Sequence, residues 1–206
     1  MIPRRILLFL ALPGLASPAL AEPAWDALRD GGIVLFRHAQ APGGGDPPGM
    51  RLGDCATQRN LDAAGRAQAV RIGQAFRERG IEVGAVLASG WCRTMETAEL
   101  AFPGRAAREA AFDSFFADRA TGPAQTEAAR RLLLAWSGPG ALFVSTHQVN
   151  ITALTAALSA SGQGIFPASG QGTFPASGQG IFPASGEGIV LARRDGALVV
   201  AGRIKP

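Results

Sequence analysis

The sequence predicts an α/β domain of three layers, with helices on both faces of a mostly parallel central sheet. Three observations predict it. Short apolar runs at 33–36, 83–88 and 141–145 have the length and continuous hydrophobicity of strands covered on both faces. Segments with helical spacing alternate with them, as in layered α/β domains. The 206 residues, 47% hydrophobic and 17% charged, suit one domain with a real core rather than a disordered chain or two domains.

The first element is an address. Arg4-Arg5 form a charged start, residues 6–12 an apolar stretch broken by Pro13-Gly14, and Ala19-Leu20-Ala21 fits the small-x-small cleavage rule. A secretory signal over 1–21 is expected, cut before Glu22, with a periplasmic or secreted location. The apolar run is far shorter than the ~20 residues a membrane span needs. No stable membrane insertion is expected once the signal is gone.

The domain then covers 22–206. Residues 25–30 read as a short helix closed by Gly31-Gly32, and 33–36 as the first strand. Residues 40–49, Gln-Ala-Pro-Gly-Gly-Gly-Asp-Pro-Pro-Gly, form a loop that no regular element tolerates. Asp62 is the expected N-cap of a helix whose inner face carries Gly65, Ala69, Ile72 and Phe76, and Gly80 ends it. A strand at 83–88 leads into a helix at 91–101, stopped by Pro103-Gly104. A helix at 125–136, a strand at 141–145 and a helix at 151–158 follow. Residues 188–192 and 197–204 pair as closing strands around Asp195-Gly196.

One segment interrupts this order. Ala-Ser-Gly-Gln-Gly-Ile-Phe-Pro at 160–167 recurs at 168–175 with Thr173, again at 176–183, and begins a fourth time at 184. Solenoid repeats are mostly longer and carry a strand or helix per unit. The glycine content and one proline per copy read as an insertion over 160–183 that arose by tandem duplication. Its phenylalanines leave a second reading, a partner-binding loop.

Removing 1–21 leaves eighteen basic and sixteen acidic side chains with no Lys/Arg run, which excludes a nucleic-acid stripe. Cys55 and Cys92 are the two cysteines. Exported thiols can pair, although sequence alone does not bring them together. Two Cys and two His without metal-ligand spacing argue against zinc, and no metal is expected.

The chemistry concentrates at strand ends. Arg37-His38-Ala39 follows the first strand and sets a cation beside an imidazole at the carboxyl edge, where open α/β sheets place ligands. That pair suits attack on a phosphoryl group whose oxygens the arginine holds. Arg93 falls in the first turn of the helix after 83–88, and His147, the other histidine, follows 141–145. Arg59 opens the segment leading to the next helix.

This set resembles the histidine phosphatase superfamily, also called phosphoglycerate-mutase-like, over roughly 31–158 and the final strands. The family's Arg-His-Gly is matched by Arg37-His38-Ala39. Its Leu-Thr-x-x-Gly-x-x-Gln-Ala is matched by Leu61-Asp62-Ala63-Ala64-Gly65-Arg66-Ala67-Gln68-Ala69. Its Ser-Pro-x-x-Arg-x-x-x-Thr-Ala is matched by Ser89-Gly90-Trp91-Cys92-Arg93-Thr94-Met95-Glu96-Thr97-Ala98, and its second histidine by His147. The chain is most similar to small exported members without a large cap domain. In these, Phe-Pro-Ala-Ser-Gly-Glu-Gly follows the second histidine's helix once. Here 182–188 supplies it, with extra copies upstream.

The resemblance implies a phosphoglycerate-mutase-like α/β/α sandwich. It also implies hydrolysis of a phosphomonoester, or a phosphoramidate, through a phosphohistidine. The partner would be a small phosphorylated substrate, with no cofactor and no metal. His38 would be the nucleophile, neutral, its other nitrogen donating to a backbone carbonyl. Arg37, Arg93 and Arg59 would bind the substrate phosphate, and His147 would add a donor. The helix after Ser89 would offer further N–H groups. For the leaving-group acid, Glu109, Asp113 and Asp118 lie in the interval where other members carry one. Asp113 is the choice, with Asp54 as another option. By analogy with small exported members, the substrate would be an envelope sugar phosphate. The alternatives are a phosphate-binding module of the same fold without turnover, and an interaction protein using the Gly/Phe repeat. Asn150-Ile151-Thr152 matches a glycosylation sequon, which is read as chance.

Overall fold

The structure, a computed structural model, describes residues 22–160 and 179–206. The expected signal and repeat residues 161–178 lie outside the described residues. Among the described residues no helix is long and apolar enough to cross a membrane.

The strands are β1 (Ile33–Arg37), β2 (Val83–Ala88), β3 (Ala106–Arg108), β4 (Ala141–Thr146), β5 (Gly188–Arg194) and β6 (Ala197–Ile204). They form one sheet in the order β3-β2-β4-β1-β5-β6. β3, β2, β4 and β1 run parallel, and β5 and β6 are antiparallel additions. The helices are α1 (Glu22–Arg29), α2 (Ala63–Glu78), α3 (Cys92–Ala101), α4 (Gly122–Ala135) and α5 (Gln148–Ala160). The expected three layers are present.

Strand alternation divides the core. Val34, Phe36 and Phe143 face α1, α2 and α3 and pack with Leu28, Ile72 and Phe76. Ile33, Leu35, Leu142 and Val144 face α4 and α5 and pack with Leu133, Ile151 and Leu154. This two-sided burial is why β1 and β4 are continuous apolar runs. Asp62 caps α2, accepting from Gly65 N–H at 2.6 Å. Gly65 meets the backbone just past His38: a Cβ there would lie 2.0 Å from the Gln40 carbonyl oxygen. The close contact draws α2 under the chain that leaves β1. Asp195 (φ +49°) and Gly196 (φ +79°) form the β5–β6 turn, which suits the left-handed pair of a tight hairpin.

The differences from expectation lie at element ends and at the sheet edge. β3 is unforeseen, since three largely exposed residues show no periodicity. α4 begins at Gly122, before the expected 125, with Pro123 in its first turn, where a preset φ favours helix. α5 begins directly after His147 rather than at 151, because the Ile151 N–H already bonds to the His147 carbonyl.

Register places the site. β1 and β4 pair in parallel with Arg37 opposite Thr146, and β2 pairs with β4 with Ala88 opposite Ser145. The ladder continues one step further, from His38 N to Thr146 O at 2.9 Å and from Ser89 N to Ser145 O at 3.0 Å. His38, Ser89 and His147 therefore leave three adjacent strands at one level.

Candidate active site

The two histidine rings face each other edge to face, with centroids 5.6 Å apart. Both residues are almost fully buried. His38 Nδ1 lies 2.7 Å from the Ala39 carbonyl oxygen. A carbonyl only accepts, so Nδ1 carries the proton and Nε2 keeps its lone pair. Burial pushes His38 down to about 3, and Arg93, Arg59 and Arg37 push the same way against the Ala39 carbonyl. His147 lies well below its ordinary value, through burial first, then His38 and the same arginines. Both rings are neutral at physiological pH. His147 Nδ1 faces Arg93 Nη2 at 3.5 Å, and Nε2 lies 2.8 Å from Ser89 Oγ. The guanidinium only donates, which assigns the His147 proton to Nε2, toward Ser89. Ser89 is a site residue that sequence reasoning quoted within a motif but did not single out.

All three expected arginines come to this place. Arg37 ends β1, and Arg37 Nη1 donates to the Pro183 carbonyl at 3.1 Å. Arg59 reaches the Ala41 carbonyl. Arg93, in the first turn of α3, is almost fully buried. Burial lowers Arg37 and Arg59, and each also feels the charge of Arg93. The Nε of each of the three is buried with no hydrogen-bond partner among the described residues. An unpartnered buried donor costs about 1–3 kcal/mol. The charges of all three guanidiniums act on both His38 and His147, so positive charge surrounds two neutral rings, an arrangement that suits an anion.

Asp46, which sequence reading passed over, is also here. Asp46 Oδ1 accepts from Arg93 Nη1 at 2.7 Å and Oδ2 from Arg93 Nη2 at 3.1 Å. The available signal was its place as the lone acid between His38 and Asp54, in a loop of Gly and Pro.

Other expectations meet a different outcome. The N–H groups leading into α3 are occupied. Gly90 N donates to Asp113 Oδ1, Trp91 N to Ser89 Oγ, and Cys92 N to Gln58 Oε1. Gly90 stands where the family has proline, and its N–H is the one that holds Asp113. The second Asp113 oxygen takes Arg108 Nη2 at 3.0 Å. Asp113 thus sits one residue from Ser89 with both oxygens engaged. Glu109, Asp118 and Asp54 accept from Ala111 N, Ala120 N and Ala56 N as caps of short 3-10 turns. Asn150 is buried and donates to the Asp113 carbonyl, which closes the sequon to modification in the folded chain. The Ala39 methyl packs with Ala41, Leu61 and Ala69.

Among the described residues, the end of the third repeat copy belongs to the fold. Ile181 is buried among α5 and the strands, its N–H bonded to Thr155 Oγ1. Gly186 N–H reaches the Arg37 and His38 carbonyls. Residues 181–183, assigned from sequence to the insertion, are therefore anchored, because an apolar side chain and the Arg37 guanidinium both need them.

Cys55 and Cys92 are joined by a disulfide with Cα atoms 5.7 Å apart. It ties the segment leading to Arg59 to the residue before Arg93. Closing a loop across 37 positions corresponds to about 4 kcal/mol in the chain-entropy picture. The Cys55→Ser/Cys92→Ser double variant is expected to unfold at correspondingly lower urea. An unchanged midpoint would contradict this.

Residues 33–133 match the family described as histidine phosphatase superfamily (branch 1). A comparison with curated proteins finds no match. Among solved structures, Bacillus stearothermophilus YhfR superposes with TM-score 0.55 at 16% identity, covering 83% of this chain and 95% of its own. The protein histidine phosphatase SixA complexed with tungstate gives 0.53 at 14%, covering 85% and 97%. An Entamoeba histolytica phosphoserine phosphatase mutant in complex with phosphoserine gives 0.53 at 11%, covering 84% and 95%. At these identities the likeness is one of fold. With four of the five site residues on the matched segment and His147 beside them on one sheet edge, residues 33–133 belong to the histidine phosphatase superfamily, which supports a phosphoric monoester hydrolase by class.

Proposed function

We propose that the protein hydrolyses a phosphomonoester, or a phosphoramidate, in two steps through His38. Nε2 of His38 attacks phosphorus, a P–N bond forms, and the bond to the leaving group breaks. Water then attacks the phosphohistidine, releasing inorganic phosphate and restoring neutral His38. Arg37, Arg59 and Arg93 hold the non-bridging oxygens through charge-assisted bonds. Burial is the first cause that keeps His147 neutral and the arginine charges add to it; a bound dianion offsets the second of these, and neutral His147 keeps its place beside Arg93. The observation that carries this reading is the convergence of the Arg37, Arg59 and Arg93 charges on His38, whose Nδ1 proton is held by the Ala39 carbonyl so that Nε2 keeps its lone pair. That a solved relative by fold binds tungstate, a tetrahedral oxyanion, supports it.

For Asp113 the contacts support a role in fixing the Ser89–Trp91 turn more than the proton donation expected from sequence. Its carboxylate is spent on the Gly90 N–H and on Arg108. The leaving group then draws its proton from water, which favours aryl phosphates and phosphoramidates over alkyl esters. The same contacts favour the second reading, phosphate binding without turnover. As a finer reading we keep an envelope sugar phosphate and a periplasmic or secreted location, supported by the disulfide, which suits an oxidising compartment.

One experiment tests these readings. A series of phosphate esters with progressively poorer leaving groups, ending in hexose and heptose phosphates, is offered to the mature protein and quenched in alkali, where phosphohistidine survives. Turnover falling along the series, with phosphate trapped on the peptide containing His38, is expected. Phosphate binding with no turnover of even p-nitrophenyl phosphate would select the binding module.

A further inference from the structure

Asp46 lies in the loop between β1 and α2 and reaches inward, its side chain 18% exposed. Its carboxylate takes four hydrogen bonds from three places in the chain. Arg93 supplies two from the end of its guanidinium. The Arg59 backbone N–H adds one to Oδ1 at 3.1 Å, and the Trp91 indole N–H one to Oδ2 at 3.0 Å. Burial alone would raise the Asp46 carboxyl. Arg93, the Arg59 N–H and Trp91 outweigh it and hold the group below the usual carboxylate range. Asp46 is a fixed anion.

The consequence for Arg93 is geometric. Nη1 is committed to Asp46 and to the Arg59 carbonyl at 3.3 Å. Nη2 is committed to Asp46 and faces His147 Nδ1. Nε remains buried without a partner among the described residues. A planar fork gripped at its end cannot turn about its own axis. Its orientation toward His147, and with it the direction of the free Nε–H, is therefore set from outside by Asp46. The same carboxylate also accepts from the Arg59 backbone N–H, so one anion holds the Arg93 guanidinium and the main chain of Arg59.

We propose that Asp46 is a positioning residue of the phosphoryl site: its carboxylate locks the guanidinium plane of Arg93 so that Arg93 presents its His147-side edge to the transferring group. This rests on the reading of the site as one that binds a phosphoryl group. Asp46 acts on the transition state through Arg93 and touches no substrate atom.

Its removal has a signature that simple loss of structure lacks. Taking a negative charge away from three arginines leaves ground-state attraction for an anion intact or stronger. Losing the orientation of Arg93 lowers the chemical step, since a displacement near 1 Å can cost about a hundredfold. The test compares wild type, Asp46→Asn, Asp46→Glu and His38→Ala, all checked for folding by thermal melting. With p-nitrophenyl phosphate, Asp46→Asn is expected to lower kcat about 10- to 100-fold. KM and the inhibition constant for inorganic phosphate should stay constant or fall, and Asp46→Glu should recover part of kcat. In parallel, inorganic phosphate is titrated while arginine Nε–H signals are followed by NMR. The Arg93 Nε–H, assigned by its loss in Arg93→Lys, should shift and sharpen on binding in wild type and fail to do so in Asp46→Asn. An Asp46→Asn protein with unchanged kcat and a normal Arg93 Nε–H response overturns the proposal. So does a raised kcat, which would make the carboxylate a competitor for Arg93. Failure of the phosphatase reading is seen separately, as turnover that persists in His38→Ala or is missing in wild type, and the NMR arm still decides the role of Asp46.

Discussion

His38→Ala is expected to lower the hydrolysis of p-nitrophenyl phosphate by a factor on the order of 10⁴ or more, the scale at which loss of a nucleophile is felt. The variant should still bind inorganic phosphate. The reason is a division of labour within the site. The backbone of residue 38 holds the sheet edge together, donating to the Thr146 carbonyl and accepting from Gly186 N–H. Alanine keeps both bonds. The anion is held by Arg37, Arg59 and Arg93, which the substitution does not touch. Only the ring with the free Nε2 is lost, and with it the P–N bond that splits hydrolysis into two steps. The space left beside His147 suits added imidazole, which should restore part of the rate. A variant keeping more than a tenth of wild-type turnover would remove His38 from the mechanism.

The second large effect is on stability in acid. His38 is held at about 3 in the folded chain, against about 6.5 when unfolded. His147 is lowered in the same direction. As pH falls below about 6.5 the unfolded chain takes up protons that the folded chain refuses. Stability therefore drops as acid is added, by about 1.4 kcal/mol per pH unit for His38, and His147 adds to the drop in the same direction. For His38 the loss runs from about pH 6.5 to about 3, roughly 4–5 kcal/mol in all. A net stability of 5–15 kcal/mol is typical of a domain, so unfolding well above pH 3 is expected. The lowered carboxyl of Asp46 adds a separate loss only at lower pH, as it titrates below about 3.8. Urea midpoints at pH 7, 6, 5 and 4 measure the slope, and His147→Gln should make it shallower. A midpoint constant from pH 6.5 to 4 would mean that the rings are charged or solvated in the fold. Activity should tell the opposite story: the nucleophile stays unprotonated across this range, so kcat/KM has no acid limb near pH 6.5 arising from His38.

Much of the fold was legible in the chain. The runs at β1, β2 and β4 are apolar on both faces because helices cover both, and that burial is itself a sequence pattern. Asp62 and Gly80 mark the ends of α2 through chemistry local to each residue. β3 was not legible, since three mostly exposed residues carry no period and exist as a strand only because β2 offers an open edge. The starts of α4 and α5 shifted for a similar reason: Pro123 and the carbonyl of His147 extend those helices without any apolar signal.

The site divides along the same line. His38, His147, Arg37, Arg59 and Arg93 could be named in advance, because each stands in a local motif whose chemistry speaks for itself. What joins them could not. The disulfide between Cys55 and Cys92, the grip of Asp46 on Arg93, the bond from Gly90 to Asp113 and the docking of residues 181–186 on Arg37 are all contacts between distant segments. By itself the amino-acid order determined which side chains are the candidates for the chemistry and which apolar segments become strands. Only the folded chain decided which carboxylate holds which arginine and where each ring keeps its proton. Those outcomes depend on the parallel register of β1, β2 and β4 and on a loop of glycine and proline, whose path is set by the partners it meets and not by its own residues.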